Sequence, residues 1–172
     1  MTPADGGGPE VALVPMDDSA ITGWLDRSRR AFVAELVATG IDPDVAEAKA
    51  RATQADSFPD GRPAAGHHVF ALVEGGQSVG HLWIAPDPDA SDSWWVFDVE
   101  VDEPARGRGL GRRLMELAEV QVARLGGTSI GLSVFGANSR ARRLYESLGY
   151  QPTSIRMRKR LERNQSEASL EP

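Results

Sequence analysis

The chain has 172 residues, 41% hydrophobic and 26% charged, which suits one domain able to bury a core and argues against disorder throughout. It has no cysteine, so disulfides, thiolate catalysis and cysteine-based metal sites are excluded. The net charge of −6 hides a split: residues 1–105 hold 19 acidic and 6 basic side chains, whereas residues 106–163 hold 4 acidic and 13 basic ones. Such asymmetry predicts two halves that face different partners, an anion held by the second and a cation approached by the first.

In chain order, Met1–Glu10 is rich in Gly, Pro and Asp and reads as a disordered start. It lacks the basic and apolar stretches of a signal peptide. No apolar run approaches the roughly 20 residues that a membrane-spanning helix needs. The expectation is a cytoplasmic protein with no membrane partner. One domain is expected over residues 11–161, followed by a polar tail at 162–172. Val11–Met16 reads as a short strand. Asp17, Asp18 and Ser19 supply helix-capping side chains, and Ile21, Trp24, Leu25, Ser28, Phe32 and Leu36 then fall on one helical face. After Gly40, Asp42-Pro43 starts a second helix with Val45, Ala48, Ala52 and Ala55 as its apolar side.

Pro59-Asp60-Gly61 is turn chemistry. Val69–Val73 and Ser78–Ala85 flank Glu74-Gly75-Gly76-Gln77, a β-hairpin signature. Ser93–Val101 is a third clear strand. Simple alternation would set Trp95, Phe97, Val99 and Val101 on one face and Trp94, Val96, Asp98 and Glu100 on the other. A helix to about Leu125 follows Arg106–Gly111, with Leu110, Leu114, Leu117, Ala118, Gln121 and Leu125 facing inward. Thr128–Phe135 reads as a strand, Asn138–Leu148 as a helix, and Tyr150–Leu161 as a last extended segment broken by Pro152. Hairpin-linked strands first and strand–helix–strand units after imply a mixed α/β sheet with helices on its faces.

Arg106-Gly107-Arg108-Gly109-Leu110-Gly111 sits between a strand and an amphipathic helix. The first amides of a helix have no intrahelical partners, the helix dipole adds positive character there, and glycines let an anion approach the backbone. The turn fails as a dinucleotide fingerprint, because the sixth place from Gly107 is Arg112. It fails as a P-loop because Gly111 is followed by Arg112-Arg113, not Lys-Ser/Thr. On spacing alone it reads either as a phosphate cradle or as an ordinary turn with solvating arginines.

Arg106-x-x-Gly109-x-Gly111 resembles the Gln/Arg-x-x-Gly-x-Gly/Ala signature of the GNAT superfamily of N-acetyltransferases, in its place between strand and helix. A second block is also similar: Ser129–Phe135, then Asn138, Ala141, Leu144, Tyr145, Leu148, Gly149 and Tyr150. The likeness covers roughly residues 69–160, Val79-Gly80-His81-Leu82-Trp83 included, and is strongest for uncharacterised bacterial members. It implies an α/β (α+β), mostly antiparallel twisted sheet of about 6–7 strands with about 4 helices, splayed between the fourth and fifth strands. It further implies acetyl-CoA as cosubstrate in that cleft. Val99 and Val101 would pair with the pantetheine, and the segment Arg106, Gly107, Arg108, Gly109, Leu110, Gly111 and Arg112 would hold the pyrophosphate. Asn138 would contact the pantetheine arm, and Tyr145 would give a proton to the departing thiolate.

An amine acceptor must lose a proton, and Asp98 and Glu100 are the carboxylates closest to the expected cleft. Some family members carry the base on the fifth strand, but Ile130-Gly131-Leu132-Ser133-Val134-Phe135 has no carboxylate, so the base stays open between them. His67, His68 and His81 are the only histidines, too few and too scattered to predict a metal site, though His67 or His81 could line the acceptor pocket. The acidic first half argues against nucleic acid. The expected partners are acetyl-CoA and a cationic amine, with a homodimer left open. The competing reading is a non-catalytic acyl-CoA-binding module on the same fold.

Overall fold

The computed structural model describes residues 9–90 and 92–159. The expectations placed on residues 1–8 and 160–172 lie outside the described residues. Five strands form one sheet in sequence order: β1 (Val11–Pro15), β2 (His68–Glu74), β3 (Gln77–Pro86), β4 (Ser93–Val101) and β5 (Ser129–Leu132). The first four pair antiparallel, and β5 joins β4 in parallel. Four α-helices accompany them: α1 (Asp18–Ala38), α2 (Pro43–Ser57), α3 (Leu110–Arg124) and α4 (Ser139–Ser147). None of the described helices is long and apolar enough to cross a membrane.

Local chemistry sets these elements. Asp17 caps α1 by accepting from the Ala20 amide at 2.8 Å. Asp42 caps α2, with Pro43 in its first turn. Gly75 and Gly76, both at positive φ, turn β2 into β3.

The sheet buries a core on each face. On one side Phe70, Leu72, Leu82, Ile84, Trp94 and Val96 pack against Leu110, Leu114, Met115, Ala118 and Val122 of α3. On the other, Ile21, Trp24 and Leu25 of α1 close over Val69, Trp83 and Phe58. The stripe expected for α1 supplies its buried residues; α3 buries Leu110, Leu114 and Ala118 as expected, but also Met115 and Val122, while Leu117, Gln121 and Leu125 are only partly buried.

Four expectations are corrected. First, α2 turns a different side inward: Ala46 and Ala50 are buried, while Val45 is 59% exposed. Its methyl-sized side chains give a weak stripe, and the Arg29–Glu47 ion pair to α1 orients it instead. Second, β4 does not alternate evenly. Trp83 pairs with Asp98 and Ile84 with Val96, so Phe97 is an extra residue in a β-bulge. Beyond it the faces exchange: Val99 and Val101 join Trp94 and Val96 on the α3 side, and Asp98 and Glu100 face α1 with Phe97. Third, the strand expected over Thr128–Phe135 is β5 only as far as Leu132. Fourth, the sheet has five strands among the described residues, not six or seven. No strand forms between Tyr150 and Lys159, where Pro152 has no amide to donate and Ile155 and Met157 stand 76% and 88% exposed.

Candidate active site

The pairing of β4 with β5 runs only from Ser93–Ser129 to Val96–Leu132. From the Phe97 bulge onward β4 has no partner on that edge among the described residues, so Phe97–Val101 borders an opening in the sheet. The bulge and the end of β5 together create the splay. A backbone edge left unpaired in this way offers amides and carbonyls to an extended ligand.

At the end of β4 the chain makes one 3-10 turn, Glu103–Ala105, and enters the glycine segment. Gly107 and Gly109 sit at φ of +83° and +81°, where a Cβ would be strained. Gly109 is the N-cap of α3 and supplies no side-chain cap. The Arg106 amide bonds the Glu103 carbonyl at 3.2 Å, and the next amide with a backbone partner is that of Arg113, bonded to the Gly109 carbonyl at 3.2 Å. Among the described residues, the amides of Gly107, Arg108, Gly109, Leu110, Gly111 and Arg112 have none. They stand at the positive end of the α3 dipole.

The arginines of the segment are largely engaged. Arg106 folds back over β4: Nε donates to the Val101 carbonyl at 2.8 Å and Nη2 to Glu100 Oε1 at 2.6 Å. Arg108 pairs with Glu74 at the β2–β3 turn, 2.7 Å away. Arg112 donates to Ser147 Oγ of α4 at 2.6 Å. A Cβ on Gly111 would lie 3.3 Å from Leu144, so α4 rests against the start of α3. The backbone amides, in contrast, have no partner of any kind among the described residues.

On α4, Asn138 is the N-cap and its Oδ1 accepts from the Ala141 amide at 3.1 Å. Its oxygen thus has a helix-capping task, and its NH2 group stays available. Tyr145, one turn after Ala141, is half-buried against the α3-side core and lies 5.8 Å, ring to ring, from Tyr150. Burial pushes its hydroxyl pKa up, and the Glu35 carboxylate adds to the shift. The phenol is therefore held in its protonated, donor form.

Sequence reading missed Glu35, which stands on the polar side of α1. Its side chain reaches solvent, yet the protein mass around the carboxyl, then Asp98 and then Glu100, push its pKa up. Asp98 and Glu100 differ. Glu100 is held by Arg106 at the surface. Asp98 accepts a close hydrogen bond from Ser28 Oγ and lies 3.1 Å from His81 Nε2. Burial pushes the Asp98 carboxyl up, but the His81 ring, the Ser28 hydroxyl and the Val99 amide outweigh it and leave the pKa below the usual aspartate value.

A cavity of about 320 Å³ opens on the α1 side, lined among others by Trp24, Ser28, Gly80, His81, Glu100 and Arg106. The other histidines point elsewhere. His67 Nδ1 accepts from Trp83 Nε1 at 3.0 Å, and burial followed by His68 lowers its pKa. His68 stacks on Phe70 on the opposite face. Among the described residues, no three His, Asp or Glu side chains gather where they could hold a metal ion.

An open edge of β4, a glycine turn with unpaired amides and the helix that carries Tyr145 are set around the start of α3. The model of the Acetyltransferase (GNAT) family matches residues 24–150, and the chain belongs to that family of acetyltransferases. It is 28% identical over 154 residues to the N-acetyltransferase YycN of Bacillus subtilis, itself uncharacterised, covering 88% of this chain and 99% of YycN. The crystal structure of YycN superposes with a TM-score of 0.82 at 27% identity, over 90% of this chain and all of that one. Shorter matches join it to the mycothiol acetyltransferase of Jonesia denitrificans, 36% identical over 50% of this chain and 27% of that protein. The alanine N-acetyltransferase of ribosomal protein bS18 from Salmonella typhimurium is 37% identical over 38% of this chain and 44% of that protein.

Proposed function

We propose that this acetyltransferase moves the acetyl group of acetyl-CoA to a cationic amine by direct attack in a ternary complex. The observation that carries the reading is the run of unpartnered amides from Gly107 to Arg112 at the head of α3, beside the opened edge of β4. The diphosphate of CoA would sit on those amides. The pantetheine would lie along Val99–Val101 and reach Asn138. The Val101 carbonyl on that edge already accepts from Arg106. The thioester would then stand between β4 and Tyr145. Tyr145 would protonate the leaving thiolate, a role that a phenol kept neutral by burial can perform.

The acceptor side is acidic. Burial, then Asp98, then Glu100 push the Glu35 carboxyl up, and three carboxyls grouped in this way attract an ammonium. Glu100 is engaged with Arg106, so the proton lost by the amine leaves on the Asp98 side of β4. Relatives named for acetylating mycothiol and an alanine of ribosomal protein bS18 differ too much in acceptor to choose one for this chain. The test is thiol release from acetyl-CoA against a diamine, a lysine peptide, a peptide with a free α-amino group and an aminosugar. Saturable, acceptor-dependent release is expected with at least one of them. Release that ignores every amine would refute the reading.

A further inference from the structure

His81 has an arrangement that the family signature does not explain. It lies on β3, with its side chain only 13% exposed, and its ring lines the 320 Å³ cavity. Its Nε2 is buried and touches no polar group except Asp98 Oδ2, 3.1 Å away and off the line of an ideal hydrogen bond. Asp98 in turn is fixed by Ser28 of α1. Trp24 closes the ring from the edge, at 5.7 Å between centroids.

A carboxylate facing one imidazole nitrogen stabilises the tautomer with the proton on that nitrogen. The proton then resides on Nε2, and Nδ1 carries the lone pair. This is the relation of a base to the group that orients it. The off-line approach in the empty site is of the kind that tightens when substrate binds. Glu100, the other carboxylate at this place, is neutralised by Arg106.

Resting on the acetyl-transfer reading above, we propose that His81 is the proton acceptor of the reaction and that Asp98 is its positioning residue. The ammonium of the acceptor gives one proton to His81 Nδ1, directly or through a water in the cavity. The freed lone pair forms the C–N bond to the thioester carbon. The C–S bond breaks, and the thiolate takes a proton from the Tyr145 hydroxyl. The remaining surplus proton on nitrogen restores that hydroxyl, and the imidazolium discharges to solvent. The products are an acetylated amine, free thiol and one released proton.

The test uses the full chain, acetyl-CoA and whichever amine of the panel the wild type turns over. His81→Ala is expected to lower the rate at saturating acetyl-CoA about 100-fold. CoA affinity by calorimetry should stay unchanged, and added imidazole should restore much of the rate. Asp98→Asn, which leaves His81 in place, should be slow and gain nothing from imidazole. His81→Gln, closer in size, serves if the alanine variant does not fold, with the same loss expected. A His81 variant that keeps the wild-type rate overturns the assignment while leaving the acetyl-transfer reading intact. So does a folded His81→Ala that loses rate and CoA binding together and is deaf to imidazole. A wild type that turns over no amine would overturn both.

Discussion

Tyr145 and Asp98 show how environment divides labour between ionisable groups. Burial and Glu35 keep the phenol protonated, whereas Ser28 and His81 keep Asp98 ionised against the same burial. Removing only the phenolic oxygen should therefore strike chemistry and not binding. Tyr145→Phe is expected to lower kcat about 100-fold with CoA affinity unchanged, read by steady-state kinetics beside calorimetry. Asp98 gives a second prediction through stability. Its folded pKa lies below the ordinary 3.8, so its stabilising effect is present above that value and lost as pH falls through the folded one. Between neutral pH and about pH 3 the wild type should lose more stability than Asp98→Asn, measured by urea unfolding at several pH values. Equal losses would show that Asp98 is not held in its ionised form. The sequence named both residues, but it could not separate Asp98 from Glu100. Their different partners come from α1, β3 and the α3 turn, which meet only in the fold. Glu35 was hidden because a lone glutamate on the polar side of an amphipathic helix looks the same whether it faces water or a cleft.

At the scale of elements, β3 and β4 come unusually close where the site begins. A Cβ on Gly80 would lie 2.3 Å from the Glu100 carbonyl oxygen and 3.1 Å from the Val101 Cα, both backbone atoms that cannot swing aside. Gly80→Ala must push the end of β4 outward, along the edge assigned to the pantetheine. The variant is expected to weaken CoA binding at least tenfold and to lower the thermal midpoint, both measured on the purified protein. An unchanged CoA affinity would separate this stretch of β4 from the ligand. Helix starts, the hairpin, the stripe of α1 and part of that of α3 were legible because capping residues, glycine turns and apolar spacing are local signals. The Phe97 bulge was not, since one inserted residue leaves the composition of a strand unaltered while exchanging every face beyond it. Its effect is large here: it moves Val99 and Val101 into the α3-side core and turns Asp98 and Glu100 toward α1. The side of α2 was misjudged because alanine marks no face clearly.

Across the whole molecule, the charge split follows the chain: Glu35 of α1 lies near Asp98 and Glu100 of β4, and the basic second half begins at the α3 turn. The sequence pointed to the backbone of the Arg106–Arg112 turn, with arginines adding charge; the fold pairs two of those arginines, Arg106 and Arg108, with Glu100 and Glu74. Among the described residues, the amides from Gly107 to Arg112 have no backbone partner, beside two glycines at positive φ. The direct test is an amide NMR titration of the ¹⁵N-labelled protein with CoA. The resonances of Gly107 through Arg112 should move together and saturate with the rest of the binding isotherm. Saturable CoA binding that leaves those six amides unmoved would contradict the account.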